Sequence, residues 1–205
     1  MVRTVESIRK AVEALAEREA AFARVIEKHG VPEPRRSDAG AQTLLRTIVG
    51  QQVSVAAARS MWAKLETAFG SPPDLSRLLV ATDEEMRAAG MSRQKAGYIR
   101  SLAELVLSGE LDLAKLPKDD EEAIAHLVRI KGIGRWSAEI YLLFAEGRPD
   151  IWPAGDLAVQ VGIGKILGLP ERPSEKQTRE LGETWRPHRG AIAIFTWHCY
   201  NNPAL

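Results

Sequence analysis

The apolar residues of this sequence recur at intervals of three and four, and run after run of them stops at a glycine. Val5, Ile8, Val12, Leu15, Phe22, Val25 and Ile26 form one stripe over residues 4–28, closed by Gly30. Leu44, Leu45, Ile48 and Val49 form the next, over 40–50, and an alanine-rich run over 53–69 ends at Gly70. Such intervals put side chains on one face of a helix, and a glycine past the last turn is a common stop. Thr82 with Glu85, and Ser174 with Gln177, have the spacing of a capping box. Ser92 can cap a helix whose apolar face is Tyr98, Ile99, Leu102, Leu105 and Val106. Further helices are expected from Asp119 or Asp120 to Ile130, after the pair Gly132 and Gly134, after Asp156, over 175–185, and over 189–200. No six-residue stretch alternates apolar and polar residues with β-branched enrichment, so strands are not expected. The irregular pieces are 29–40 and 147–156. The fold class that follows is all-α.

Composition narrows the function. A chain of 205 residues, 45% apolar and 27% charged, can bury a sizeable core as one domain or two small ones. A net charge of +1 announces no polyanionic partner globally, although a local basic face is compatible with it. The single cysteine, Cys199, excludes an intrachain disulfide and a four-cysteine zinc or iron–sulfur site. His29, His126, His188 and His198 show no zinc-ligand spacing. There is no signal-peptide pattern and no apolar run near the roughly 18 residues of a membrane span. The expectation is a soluble cytoplasmic protein, a monomer, with no membrane partner.

The stretch RIKGIGRWSAEIY, residues 129–141, breaks a helical pattern with two glycines. A turn this tight needs residues free to adopt positive φ, and glycine also lets another molecule come close to the backbone. Ile133 would anchor the turn from between the glycines. The helix that follows points leading amides and the positive end of its dipole outward, an arrangement that suits a phosphate. Arg135 adds a cationic contact beside the turn. The plain alternative is that the two glycines only end one helix and begin another.

The surroundings of the turn carry a resemblance. Gly134 is followed twenty-two residues later by Asp156, across the loop GRPDIWPAG and before an apolar helix. The segments LLRTIVGQQVSVAAARSMWAKL at 44–65 and GMSRQKAGYIRSLAELV at 90–106 precede the hairpin. In this order and spacing the chain from about residue 40 onward resembles the helix-hairpin-helix DNA glycosylase superfamily. Within it, the 3-methyladenine DNA glycosylase II branch of alkylation repair is the nearest in pattern. The resemblance implies a two-lobed helical fold with the active-site cleft between lobes, approximately 1–39 plus 136–205 and 40–135. It also implies hydrolysis of the N-glycosidic bond of alkylated purines such as 3-methyladenine and 7-methylguanine, flipped out of double-stranded DNA.

Site residues follow from the same resemblance. Asp156 stands at the position of the essential carboxylate, and a carboxylate stabilises the positive charge that develops on the sugar as the base leaves. Its plain alternative is a helix N-cap. Trp136, Trp197 and Trp152 would line a pocket whose electron-rich rings suit a cationic base, against ordinary core packing for each. Trp62 and Trp185 read as structural. Gln52 stands at the wedge position, where relatives fill the gap left by the flipped base; otherwise it belongs to a polar connector. Lys131, Gly132, Ile133, Gly134 and Arg135 would grip the DNA backbone. No cofactor is required, but the carbonyls of Val128, Ile130 and Ile133 match those that hold sodium or potassium in relatives.

Two departures stand out. Bifunctional relatives carry a nucleophilic lysine where this chain has Trp136, and an indole cannot form a Schiff base, so lyase activity is not expected. The pocket tyrosine of well-known members is replaced by Ile140, and the neighbouring Tyr141 would point about 100° away on a helix. The rival readings are a glycosylase for another lesion, such as ethenoadenine or uracil, and a non-catalytic DNA-binding module.

Overall fold

A computed structural model describes residues 4–33 and 37–202. Residues 34–36, part of the first irregular piece, lie outside the described residues. Among those described, all regular structure is helical. The chain starts with α1 (Val5–Ala16) and α2 (Ala20–His29). It continues through α3 (Ala41–Gly50), α4 (Val55–Phe69), α5 (Leu75–Val80), α6 (Asp83–Ala88), α7 (Arg93–Leu107), α8 (Asp120–Leu127) and α9 (Arg135–Tyr141). A single π-helical turn, Leu142–Glu146, leads on to α10 (Leu157–Leu167), α11 (Glu175–Glu183) and α12 (Arg189–Asn201). No described helix is long and apolar enough to cross a membrane.

Two compact units divide the chain: Met1–Arg36 with Leu142–Leu205, and Ser37–Tyr141. The second boundary thus falls after Tyr141 and not after residue 135, because α9 packs on α8 and α3 within the second unit.

In the first unit the expected single stripe over 4–28 is two helices. Glu19 is extended, with φ −133° and ψ 102°, and the break lets α2 fold back against α1. Trp185 explains the break: its indole Nε1–H donates to Glu19 Oε1 at 2.8 Å. The same ring meets Phe22 and Trp152 edge-on, with centroids at 5.7 and 5.3 Å. Trp185 is therefore core, as expected. Helices α10 and α12 cross closely at Gly162, where a Cβ would come 2.5 Å from Cγ2 of Thr196. Cys199 is buried on α12, and burial pushes its thiol up to about 12.

The loop leading to α10 is fixed at its start. Asp150 accepts from Arg189 Nε and Nη2, both at 2.9 Å, and from Arg186 Nη1 at 2.6 Å. Arg189 is buried, and its Nη1 reaches Glu183 Oε1 at 2.9 Å. A buried guanidinium needs this much pairing to be tolerated.

In the second unit, Leu44, Leu45, Ile48 and Val49 of α3 are all buried, as their spacing predicts. Helix α3 packs on α4, α7 and α9. The capping box at Thr82 and Glu85 and the Ser92 cap are both present. Trp62 is buried beneath the guanidinium of Arg46, whose Cζ lies 3.7 Å from the ring centroid. Helix α5, capped by Asp74, goes unread in the sequence because six residues are too few to display a period. Helix α8 stops at Leu127, short of Ile130, and the residues beyond it form the turn.

Candidate functional site

The hairpin lies wholly in the second unit, formed by α8, the turn, and α9. Asp119 caps α8 through its carboxylate, which accepts the Glu122 amide at 2.9 Å. Ile133 is buried and its amide donates to the Ile130 carbonyl at 3.0 Å, closing the turn as the sequence suggested. The two glycines differ. Gly132 adopts φ +83°, and a side chain there would overlap the ring of Tyr98. Gly134 has no positive φ, and a Cβ on it would meet nothing within 4 Å. One glycine is required by the turn; the other leaves its surface bare for a close approach. Lys131 is exposed on the turn, with its amide bonded to Ser101 Oγ at 3.1 Å.

Arg135 does not stand beside the turn as an available cation. Its Nη1 donates to Glu121 Oε2 at 2.8 Å, and its Nη2 to the other oxygen of the same carboxylate. Its Nε donates to the buried Glu139 at 2.9 Å. The Glu121 hydrogen bonds, and after them the charges of Glu139 and Glu121, raise its pKa against the opposing effect of burial. The physical reason is local: Glu121 sits in the first turn of α8 and Glu139 one turn along α9, so the guanidinium ties the two hairpin helices together. A phosphate contact would have to displace those carboxylates.

The first unit contains Asp156 and Trp197. Asp156 is the N-cap of α10, and its Oδ1 accepts the Val159 amide at 2.9 Å. The same oxygen accepts the indole Nε1–H of Trp197 at 3.0 Å. Trp197 sits on α12 and its ring lies against Phe144, with centroids 5.6 Å apart and planes 30° from parallel. Both rings are partly exposed. Phe144 escaped the sequence reading because the π-helical turn that carries it shifts the helical register there. Its spacing from Trp197 in sequence gives no sign of the pairing.

Trp152 is corrected from pocket candidate to core residue. It is 3% exposed, its Nε1–H donates to the Thr178 carbonyl at 2.8 Å, and its ring fills the space beside Gly182. Trp152→Phe should remove this buried hydrogen bond, while the Thr178 carbonyl stays within helix α11, and cost about 0.5–1.5 kcal/mol, read as a lowered melting temperature. DNA-dependent activity measured below that temperature should be unchanged. Trp136, on α9, is 48% exposed. Tyr141 is buried and its hydroxyl accepts the Gly40 amide at 2.8 Å, so it faces the interior of its own unit.

Gln52 is exposed in the loop between α3 and α4 and is the one non-glycine residue with positive φ, +54°, among those described. Backbone strain of this kind gathers at functional positions. Its neighbour Gln51, unremarked in the sequence, donates from Nε2 to the Gly132 carbonyl at 2.8 Å.

The turn suits a monovalent cation in part. Among the described residues no hydrogen bond engages the carbonyls of Val128 and Ile133, whereas that of Ile130 accepts the Ile133 amide and keeps one lone pair. These three carbonyls are the ones that would hold such an ion. Among the described residues no three His, Cys, Asp or Glu side chains cluster as a metal site.

A hairpin of this geometry in an all-helical fold is a helix-hairpin-helix unit. Residues 45–187 match the HhH-GPD superfamily of base excision DNA repair proteins, and the chain belongs to that family. It is 31% identical to DNA-3-methyladenine glycosylase 1 of Schizosaccharomyces pombe, over 76% of this chain and 70% of that protein. The solved structure of DNA-3-methyladenine glycosidase from Bacillus halodurans superposes with a TM-score of 0.86 at 30% identity, covering 95% of this chain and 90% of that one. That of the Schizosaccharomyces pombe 3-methyladenine DNA glycosylase in complex with abasic DNA superposes at 0.78 and 29% identity, covering 92% and 95%. Several other relatives are longer, and the chain spans 54–58% of their length.

Proposed function

We propose that the chain is a monofunctional DNA glycosylase of base excision repair that hydrolyses the N-glycosidic bond of alkylated purines. The observation that carries the proposal is the Asp156 carboxylate, held by the Val159 amide and the Trp197 indole in a chain of this family. A purine alkylated on a ring nitrogen is cationic and departs as a neutral base with the bond electrons, so no proton donor is needed. Positive charge then builds on the deoxyribose, and a fixed carboxylate stabilises it where it forms. Water adds to the sugar carbon, gives up a proton to solvent, and leaves an abasic site. A base inside the duplex is out of reach, so the nucleotide is flipped out. The paired Phe144 and Trp197 offer π-faces to a cationic base; Trp136, in the second unit, is a separate exposed aromatic candidate. Gln52 fills the vacated stack, and the hairpin around Gly132 and Gly134 anchors a phosphate. Trp136 in place of the lysine of bifunctional relatives supports hydrolysis without strand cleavage. The names of the relatives support the alkylpurine substrate. The activity requires no cofactor, a sodium or potassium ion at the hairpin being structural, and a cytoplasmic monomer suffices.

The test is single-turnover base release from a duplex carrying methylated purines, beside duplexes with ethenoadenine or uracil. Release from the methylated duplex with the abasic strand intact is the expected outcome. Release only from the other two would reassign the lesion. Binding without release from any would leave a non-catalytic hairpin module, and strand cleavage without added base would overturn the reading of Trp136.

A further inference from the structure

Within the second unit, the loop that carries Gln52 is tied to the hairpin by a side chain with no other assigned task. Gln51 ends α3, and its Nε2–H donates to the Gly132 carbonyl at 2.8 Å. The other face of Gly132 lies on the ring of Tyr98, whose hydroxyl accepts Gln94 Nε2 at 2.6 Å. The end of α3 is itself pinned by Lys95, whose Nζ donates to the Val49 carbonyl at 2.7 Å. Gln51, Gln52, Gln94, Lys95 and Tyr98 share one cavity of about 350 Å³. The turn that would hold a phosphate and the loop that would enter the stack are thus joined through a single backbone carbonyl.

We infer that Gln51 is a positioning residue that couples the grip of the hairpin to the insertion of Gln52. The inference rests on the wedge assignment of Gln52, though not on catalysis. The backbone of Gln52 holds a positive φ of 54°, which costs energy unless its surroundings impose it. The Gln51 bond fixes the residue immediately before it to the turn. A phosphate that orders the turn therefore also orders the loop, and an occupied gap in the stack orders the turn in return.

The experiment is a titration by fluorescence anisotropy with two duplexes, one undamaged and one carrying a tetrahydrofuran abasic analogue that cannot be cleaved. The proteins are wild type, Gln51→Met, Gln52→Ala and the double variant. Methionine keeps the length of the side chain and removes the donor. Wild type is expected to prefer the abasic duplex. Gln51→Met should lose about fivefold of that preference, the factor carried by one hydrogen bond of ordinary net strength. Its affinity for undamaged duplex should stay within about twofold. The double variant should prefer the abasic duplex no less than Gln52→Ala alone, because the two act as one device. Full preference in Gln51→Met, equal losses on both duplexes, multiplicative losses in the double variant, or no preference in wild type would each overturn the inference. Because no base is released, a failed glycosylase reading shows itself separately.

Discussion

Asp156→Asn should lower single-turnover base release by at least about a hundredfold, the scale seen when one preorganised electrostatic group is removed from a transition state. Asparagine is the informative replacement because Asp156 has two roles in the structure. Its Oδ1 caps α10 and accepts the Trp197 indole. An asparagine oxygen can keep both bonds, and asparagine caps helices as well as aspartate does. What is lost is the charge, which costs the fold about 0.3–1 kcal/mol through the helix dipole. The melting temperature should therefore fall by no more than about 4 °C. Asp156→Ala removes the cap as well and should cost about 1 kcal/mol more. A large loss of rate at nearly constant stability in Asp156→Asn assigns the carboxylate to chemistry. A rate within tenfold of wild type would reduce Asp156 to a cap.

The dual role of Asp156 shows what the sequence could and could not reveal. An aspartate before an apolar helix reads equally as a cap or a catalyst; the cap is observed and the catalysis is proposed. The helices and most of their caps were legible, because Thr82, Ser92, Asp119 and Ser174 act within four residues of themselves. The division of residues 4–28 into two helices was not, since its cause is Trp185, which reaches Glu19 from the far end of the chain. Trp152 misled for the same reason: its burial depends on Gly182 and Thr178, and nothing near it in sequence records them. Arg135 looked like a phosphate ligand because a cation beside a glycine turn suggests one. Glu139 was visible at the i+4 position, but Glu121, whose two oxygens Arg135 engages, lies on the preceding helix.

Gly132→Ala should be the more damaging of the two glycine substitutions in the hairpin, with effects on both stability and DNA binding. A left-handed backbone costs an L-residue about 1–2 kcal/mol. At φ +83° the new methyl group also overlaps the Tyr98 ring, and forcing apart a packed contact of this kind adds about 1–3 kcal/mol. The melting temperature should drop by roughly 5–15 °C, and affinity for duplex DNA should fall more than about tenfold as the turn is displaced. Gly134→Ala separates the two demands. Its backbone needs no positive φ and a Cβ there meets nothing, so the fold should melt within about 2 °C of wild type. A methyl group on that bare surface would still hold a phosphate away from the backbone, so binding should weaken without unfolding. Tyr98→Ala combined with Gly132→Ala removes the overlap and leaves only the backbone cost. The double variant should therefore be more stable than the two single losses added together predict. Additive losses would mean that the ring moves aside freely, and that Gly132 is needed for its φ alone.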